Sequence, residues 1–171
     1  MLVRRVVCLS AMLALSAGPS LAATSGWQVT GTPSSPPFSL NYAFSDTNVT
    51  YGIECRPDKI VLTETGVTRL LDIKTEQNIG DAPGSMMTPG AAYMALFTDR
   101  VKPNLVPALT RPNPTKGWDF TIELPKSDSA FQSLAKAKMV ILMTTGWTGA
   151  AVVGPADHAV LADFASRCAT S

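Results

Sequence analysis

The chain has 171 residues, 46% of them hydrophobic and 16% charged, and carries a formal net charge of +1. That length and apolar content suit one domain with a real core. Near-neutral charge, with the basic residues beyond Arg4 and Arg5 scattered singly, removes the electrostatic case for nucleic acid or an anionic membrane surface as a partner.

Met1-Leu2-Val3-Arg4-Arg5 is a basic start, residues 6–18 are apolar and small, and Ser20-Leu21-Ala22 places small residues at the −3 and −1 positions of a signal peptidase site. Residues 1–22 therefore read as a signal peptide, and residues 23–171 as a single exported β-rich domain, periplasmic or secreted. The apolar run is too short for a comfortable membrane span, and nothing later reaches that length, so the mature chain is expected to have no span. Loss of Arg4 and Arg5 turns the net charge to about −1. Cys8 lies at the start of the apolar segment rather than after it, where a lipoprotein cysteine would sit, and is expected to leave with the signal. Cys55 and Cys168 remain. Two cysteines in an exported chain read most simply as one disulfide, with two separate buried thiols as the alternative. Closing a loop of just over a hundred residues is worth about 4–5 kcal/mol in the chain-entropy account.

Trp27-Gln28-Val29-Thr30 alternates as a first strand, and Thr32-Pro33-Ser34-Ser35-Pro36-Pro37 is a proline-rich turn. Phe38, Leu40, Tyr42 and Phe44 recur with period two, as do Val49, Tyr51, Ile53 and Cys55. The two runs flank Ser45-Asp46-Thr47-Asn48, which predicts a hairpin with Cys55 on the core side. Residues 59–64 predict a third strand ended by Gly66, and residues 67–73 a fourth. Residues 76–90 keep no period. They read as a long loop, which in a compact domain is either functional or disordered.

Residues 92–97 resume strand character. Pro103, Pro107, Pro112 and Pro114 then confine residues 101–116 to an irregular edge or a loop, because proline is excluded from central strands. Trp118, Phe120, Ile122 and Leu124 alternate clearly, with Asp119, Thr121 and Glu123 outward. Asp128 caps a short helix over residues 129–138 with Phe131, Leu134 and Ala135 inward. Met139-Val140-Ile141-Leu142-Met143 is a continuous apolar run, as expected of a strand covered on both faces. Gly146-Trp147-Thr148-Gly149 reads as a turn leading into Ala150-Ala151-Val152-Val153.

Gly154-Pro155 then opens a closing helix. Asp157 supplies a carboxylate to its first turn, and Leu161, Phe164, Ala165 and Cys168 share one face. The sum is roughly seven to nine short strands, joined by connections too short for parallel crossovers. The fold class is α+β: a mainly antiparallel β-sandwich or rolled sheet with two short C-terminal helices.

The layout has a familiar order: a signal peptide, a Trp-containing first strand and a cysteine ending an early strand. Phe131-Gln132-Ser133-Leu134 then precedes an apolar strand, and the last helix ends in Phe164-Ala165-Ser166-Arg167-Cys168. It resembles the small periplasmic β-rich proteins of proteobacteria, such as the invasion-associated locus B family and the type VI secretion accessory proteins. Those families often carry further cysteines that are absent here. The resemblance implies the fold and the compartment, and no activity or binding residues.

Chemistry-bearing residues are sparse. His158 is the single histidine and is expected to be solvated in the first turn of the last helix. One histidine and two oxidised cysteines cannot make a zinc site, and no Gly-x-Ser-x-Gly elbow accompanies His158. Without Cys-x-x-Cys, Cys55 and Cys168 lack the low-pKa nucleophile of that motif. Glu54 with Glu64 across a hairpin, and Asp119 with Glu123 on one strand face, are the carboxylate pairs to weigh for hydrolysis. Met86 and Met87 in the long loop and Trp147 at the turn are apolar groups suited to anchor a partner. The expectation is a non-enzymatic binding or envelope-associated module without a cofactor or a metal site, whose partner is another envelope or secreted protein. A small hydrolase or hydrolase inhibitor using surface carboxylates is the alternative, and a purely structural envelope protein a third reading.

Overall fold

The computed structural model describes residues 26–32, 35–43, 49–68, 92–115, 117–145 and 147–171, with the backbone alone for Trp147. The expected leader with Cys8, most of the strand expected over residues 67–73, and the loop expected over residues 76–90 with Met86 and Met87 lie outside the described residues.

Ten strands and two helices are present among them, in the α+β architecture the patterning predicts. β1 (Trp27–Thr30), β2 (Phe38–Ala43), β3 (Thr50–Cys55), β4 (Lys59–Val67), β7 (Leu109–Pro112) and β8 (Trp118–Pro125) form a six-stranded sheet in the order β1-β2-β3-β4-β8-β7. β5 (Tyr93–Thr98), β6 (Val106–Pro107), β9 (Met139–Thr144) and β10 (Trp147–Val152) form a four-stranded sheet in the order β10-β9-β5-β6. Every pairing is antiparallel.

Register lines the inward residues of the six-stranded sheet into three rows. Phe38, Cys55, Ile60 and Leu124 make one row, and Val29, Leu40, Ile53, Leu62 and Ile122 the next. The third runs Trp27, Tyr42, Tyr51, Glu64, Phe120 and Thr110 across all six strands. Period-two side-chain alternation makes these rows, and burial of one face fixes the register, since a one-residue slip would turn every row to water.

Helix α1 (Ser129–Ser133) continues as a 3₁₀ turn over Leu134–Lys136, and α2 (Pro155–Thr170) closes the chain. The Asp128 carboxylate accepts from the Ala130 and Phe131 N–H groups at 2.9 and 3.2 Å, satisfying two donors that the first turn leaves unpaired. Asp128→Ala is expected to lower stability by about 1 kcal/mol, read as a shifted urea midpoint with an unchanged m-value. In α2 the Asp157 carboxylate accepts from Gly154 N–H at 2.9 Å and from Trp27 N–H at 3.4 Å, so it caps the helix and holds the start of β1 to it. Leu161, Phe164 and Cys168 are the buried positions of α2. Phe164 meets Phe38 and Phe131 edge to face, with centroids 5.4 and 6.4 Å apart. Cys168 is bonded to Cys55, with the α-carbons 5.6 Å apart, which joins α2 to the end of β3 as the cysteine count predicts.

Several local expectations are corrected. Gly66 does not end β4. At φ +77° it carries the strand through an irregularity between Glu64 and Val67, and its N–H is taken by Asp119 Oδ1 at 3.1 Å. Apolar β9 is buried on one face only, because Met139, Ile141 and Met143 are half-exposed on the other. Trp147 is not in a turn but is the first residue of β10, opposite Thr144. The proline-rich 101–116 stretch does supply edges, as β6 and β7.

Candidate functional site

The carboxylate pairs weighed for hydrolysis are not brought together. Glu54 faces outward beside Arg56, whereas Glu64, on the facing strand, points into the core. Their partners across the β3–β4 ladder are Val61 and Tyr51, so the two acids are also displaced along it. Asp119 and Glu123 share the outer face of β8, but Asp119 is committed. It is 6% exposed, accepts from Gly66 N–H and from Asn113 Nδ2 at 2.7 Å, and forms an ion pair with Arg111 at 3.6 Å. Glu123 sits in solvent with Lys59 at 2.9 Å. Outward placement was legible from alternation; burial of Asp119 under the β4 irregularity was not. His158 is half-buried in the first turn of α2. Among the described residues no group of three or more His, Cys, Asp or Glu is placed to hold a metal, and no helix is long and apolar enough to cross a membrane.

Two features remain. The first is Glu64, fully buried at 0% exposure, with no well-formed hydrogen bond to either carboxyl oxygen among the described residues. Its neighbours across the ladder are Tyr51 and Phe120, and the Thr144 hydroxyl of β9 faces it from the other sheet. Burial dominates its titration and pushes the carboxyl up to about 9, with Thr144 offsetting only a part. Burial, then the neighbouring Glu64, push the Tyr51 phenol up as well. The Tyr51 hydroxyl donates to Leu142 O of β9 at 3.3 Å, a direct tie between the sheets. Farther along the same row the Trp27 indole N–H is also buried without an acceptor, and its ring lies 5.0 Å from that of Tyr42. Sequence reading had the signal for Glu64: it follows Ile60 and Leu62 at period two, on the core side of the strand.

The second feature is a sheet edge. Val153 N–H donates to Lys138 O at 2.9 Å, which fixes the phase of the β9–β10 ladder. The backbone groups of Thr148, Ala150 and Val152 therefore point away from β9, and no described strand pairs with them. All three residues are exposed, Val152 at 73%. The strand is six residues long and holds no proline and no charge. The other edges are blunted. β6 has two residues, one of them Pro107; β7 carries Arg111 and ends in Pro112; β1 has four residues and lies against α2. Large apolar side chains are also exposed on the blunted side, at Leu105 and Leu109.

No protein-family model, curated protein or solved structure matches this chain.

Proposed function

We propose that this chain is a non-enzymatic exported module, periplasmic or secreted, that binds another envelope or secreted protein. The observation that carries the reading is the β10 edge, unpaired among the described residues, whose other edges are short, charged or prolyl. An edge of this kind accepts an extended segment of a partner, with main-chain hydrogen bonds supplying affinity. The Cys55–Cys168 bridge supports an oxidising compartment, where such bonds persist. The sequence layout, which resembles that of small periplasmic β-rich proteins, is in keeping with the same location. Trp147, singled out as a partner anchor, heads this edge strand.

The test is capture of proteins from envelope and secreted fractions by the mature chain, beside Thr148→Lys and Ala150→Lys variants. Both sites are exposed, so folding is expected to be unchanged within about 0.5 kcal/mol. The partner seen with the unaltered chain should fall about tenfold or more in the variants, because charge at an edge blocks strand pairing. Leu109→Lys on the blunted side should keep it. Equal capture by all four proteins would remove the β10 assignment, and a paired Met86→Ala, Met87→Ala variant would then ask whether the loop carries binding instead.

A further inference from the structure

We infer that Glu64 is a pH-sensitive latch between the two sheets: uncharged, it lets them close on one another, and the loss of its proton drives them apart. This does not depend on what the β10 edge binds. The carboxyl is fully buried in the row Trp27, Tyr42, Tyr51, Glu64, Phe120, the inner face of β9 closes over it, and among the described residues the Thr144 hydroxyl is the one polar group that β9 brings toward its oxygens, neither of which has a well-formed hydrogen bond. A neutral acid is tolerated there. An isolated carboxylate away from water is not, and it would have to open the structure to be solvated.

Among the described residues the groups around it offer the anion little: the Thr144 hydroxyl offsets a part of the burial effect and no cation faces it. β3 presents the Tyr51 phenol, already engaged with Leu142 O, and β2 presents Tyr42. β8 presents the Phe120 ring, and β9 the Thr144 hydroxyl. No Lys or Arg faces it from any of these strands: Lys59 is paired with Glu123 and Arg111 with Asp119, both on the outer face. The wall that would move is β9 and β10, because Tyr51 reaches both Leu142 and the Gly149 backbone there.

The direction follows from proton linkage. The unfolded carboxyl titrates at about 4.5 and the folded one at about 9. Between those values the unfolded chain has lost its proton and the folded chain keeps it, so rising pH favours unfolding. The contribution is fully present below pH 4.5, declines through the window, and is gone above pH 9. Within the window the unfolding constant grows about tenfold per pH unit.

The experiment compares urea unfolding of the mature chain and of Glu64→Gln, an isostere that does not titrate. From pH 5 to pH 8 the ratio of their unfolding constants should change about a thousandfold, with the unaltered chain losing ground as pH rises. Parallel curves would overturn the latch. Hydrogen exchange at pH 8 separates a latch from general destabilisation. Leu142 and Gly149 amides should exchange at least about tenfold faster in the unaltered chain than in Glu64→Gln, with a smaller difference at Ile53 and Leu62. Equal differences in both sheets would refute it. Should Glu64→Gln fail to fold, the ¹³C carboxyl resonance of Glu64 in the unaltered chain decides. It should hold its protonated position to near pH 9, and a midpoint near 4.5 would overturn the inference.

Discussion

Replacing Cys55 and Cys168 together by alanine is expected to lower the unfolding free energy by about 2–5 kcal/mol. The bond spans 113 residues of sequence, so its loss returns a large loop entropy to the unfolded chain. A domain is stable by only about 5–15 kcal/mol, so the variant should unfold at a markedly lower urea concentration. Both cysteines are fully buried where α2 meets the six-stranded sheet. The amides of α2 should therefore lose protection before those of β3 and β4. Dithiothreitol should reproduce the shift in the unaltered chain and leave the double variant unmoved. A midpoint that stays put on both treatments would mean that packing alone holds α2 in place.

Phe164→Ala should have an effect of similar size, about 3–5 kcal/mol, through a different cause. Phe164 is fully buried and is the point at which α2, β2 and α1 meet, through its edge contacts with Phe38 and Phe131. Truncation removes apolar contacts from three elements at once and leaves a cavity whose walls are pinned by the sheet on one side. Leu109→Ala, at a residue 77% exposed, is the matched comparison and should change stability by less than about 0.5 kcal/mol. Phe164→Ala removes a phenyl ring and Leu109→Ala an isopropyl group, and it is burial that should separate their effects. Equal urea midpoints would show that the α2 interface is not the core the burial pattern indicates.

The elements legible in the sequence are those whose identity is written in local spacing. Trp118, Phe120, Ile122 and Leu124 at period two made β8 readable, and the same period on both sides of residues 44–48 made the β2–β3 hairpin readable. The 3.6-residue spacing of Leu161, Phe164 and Cys168 gave the buried face of α2. Gly66, a residue type that weakens strand interiors, makes β4 look shorter in the sequence than it is. What carries the strand through it is the Asp119 carboxylate on the Gly66 N–H, from a residue 53 positions away. Trp147 was placed in a turn because glycines flank it, but the ladder to β9 decides the assignment.

The candidate site divides in the same way. That Glu64 shares a face with Ile60 and Leu62 is a property of the strand alone. That the face is sealed by Thr144 and Leu142 of another sheet, so that a carboxyl there stays protonated, depends on how the sheets pack. That β10 is uncharged and free of proline is visible in the residues. That it lies at an edge rather than within a sheet comes from strand order.

By itself the sequence determined which residues alternate, which helix face is apolar, and where the cysteines stand along the chain, because side-chain period and composition are local. Only the tertiary structure decided which strands are neighbours, which edge stays open and which acid is cut off from water. Those outcomes depend on pairings between distant segments, and period two specifies the face of a strand without specifying its partner.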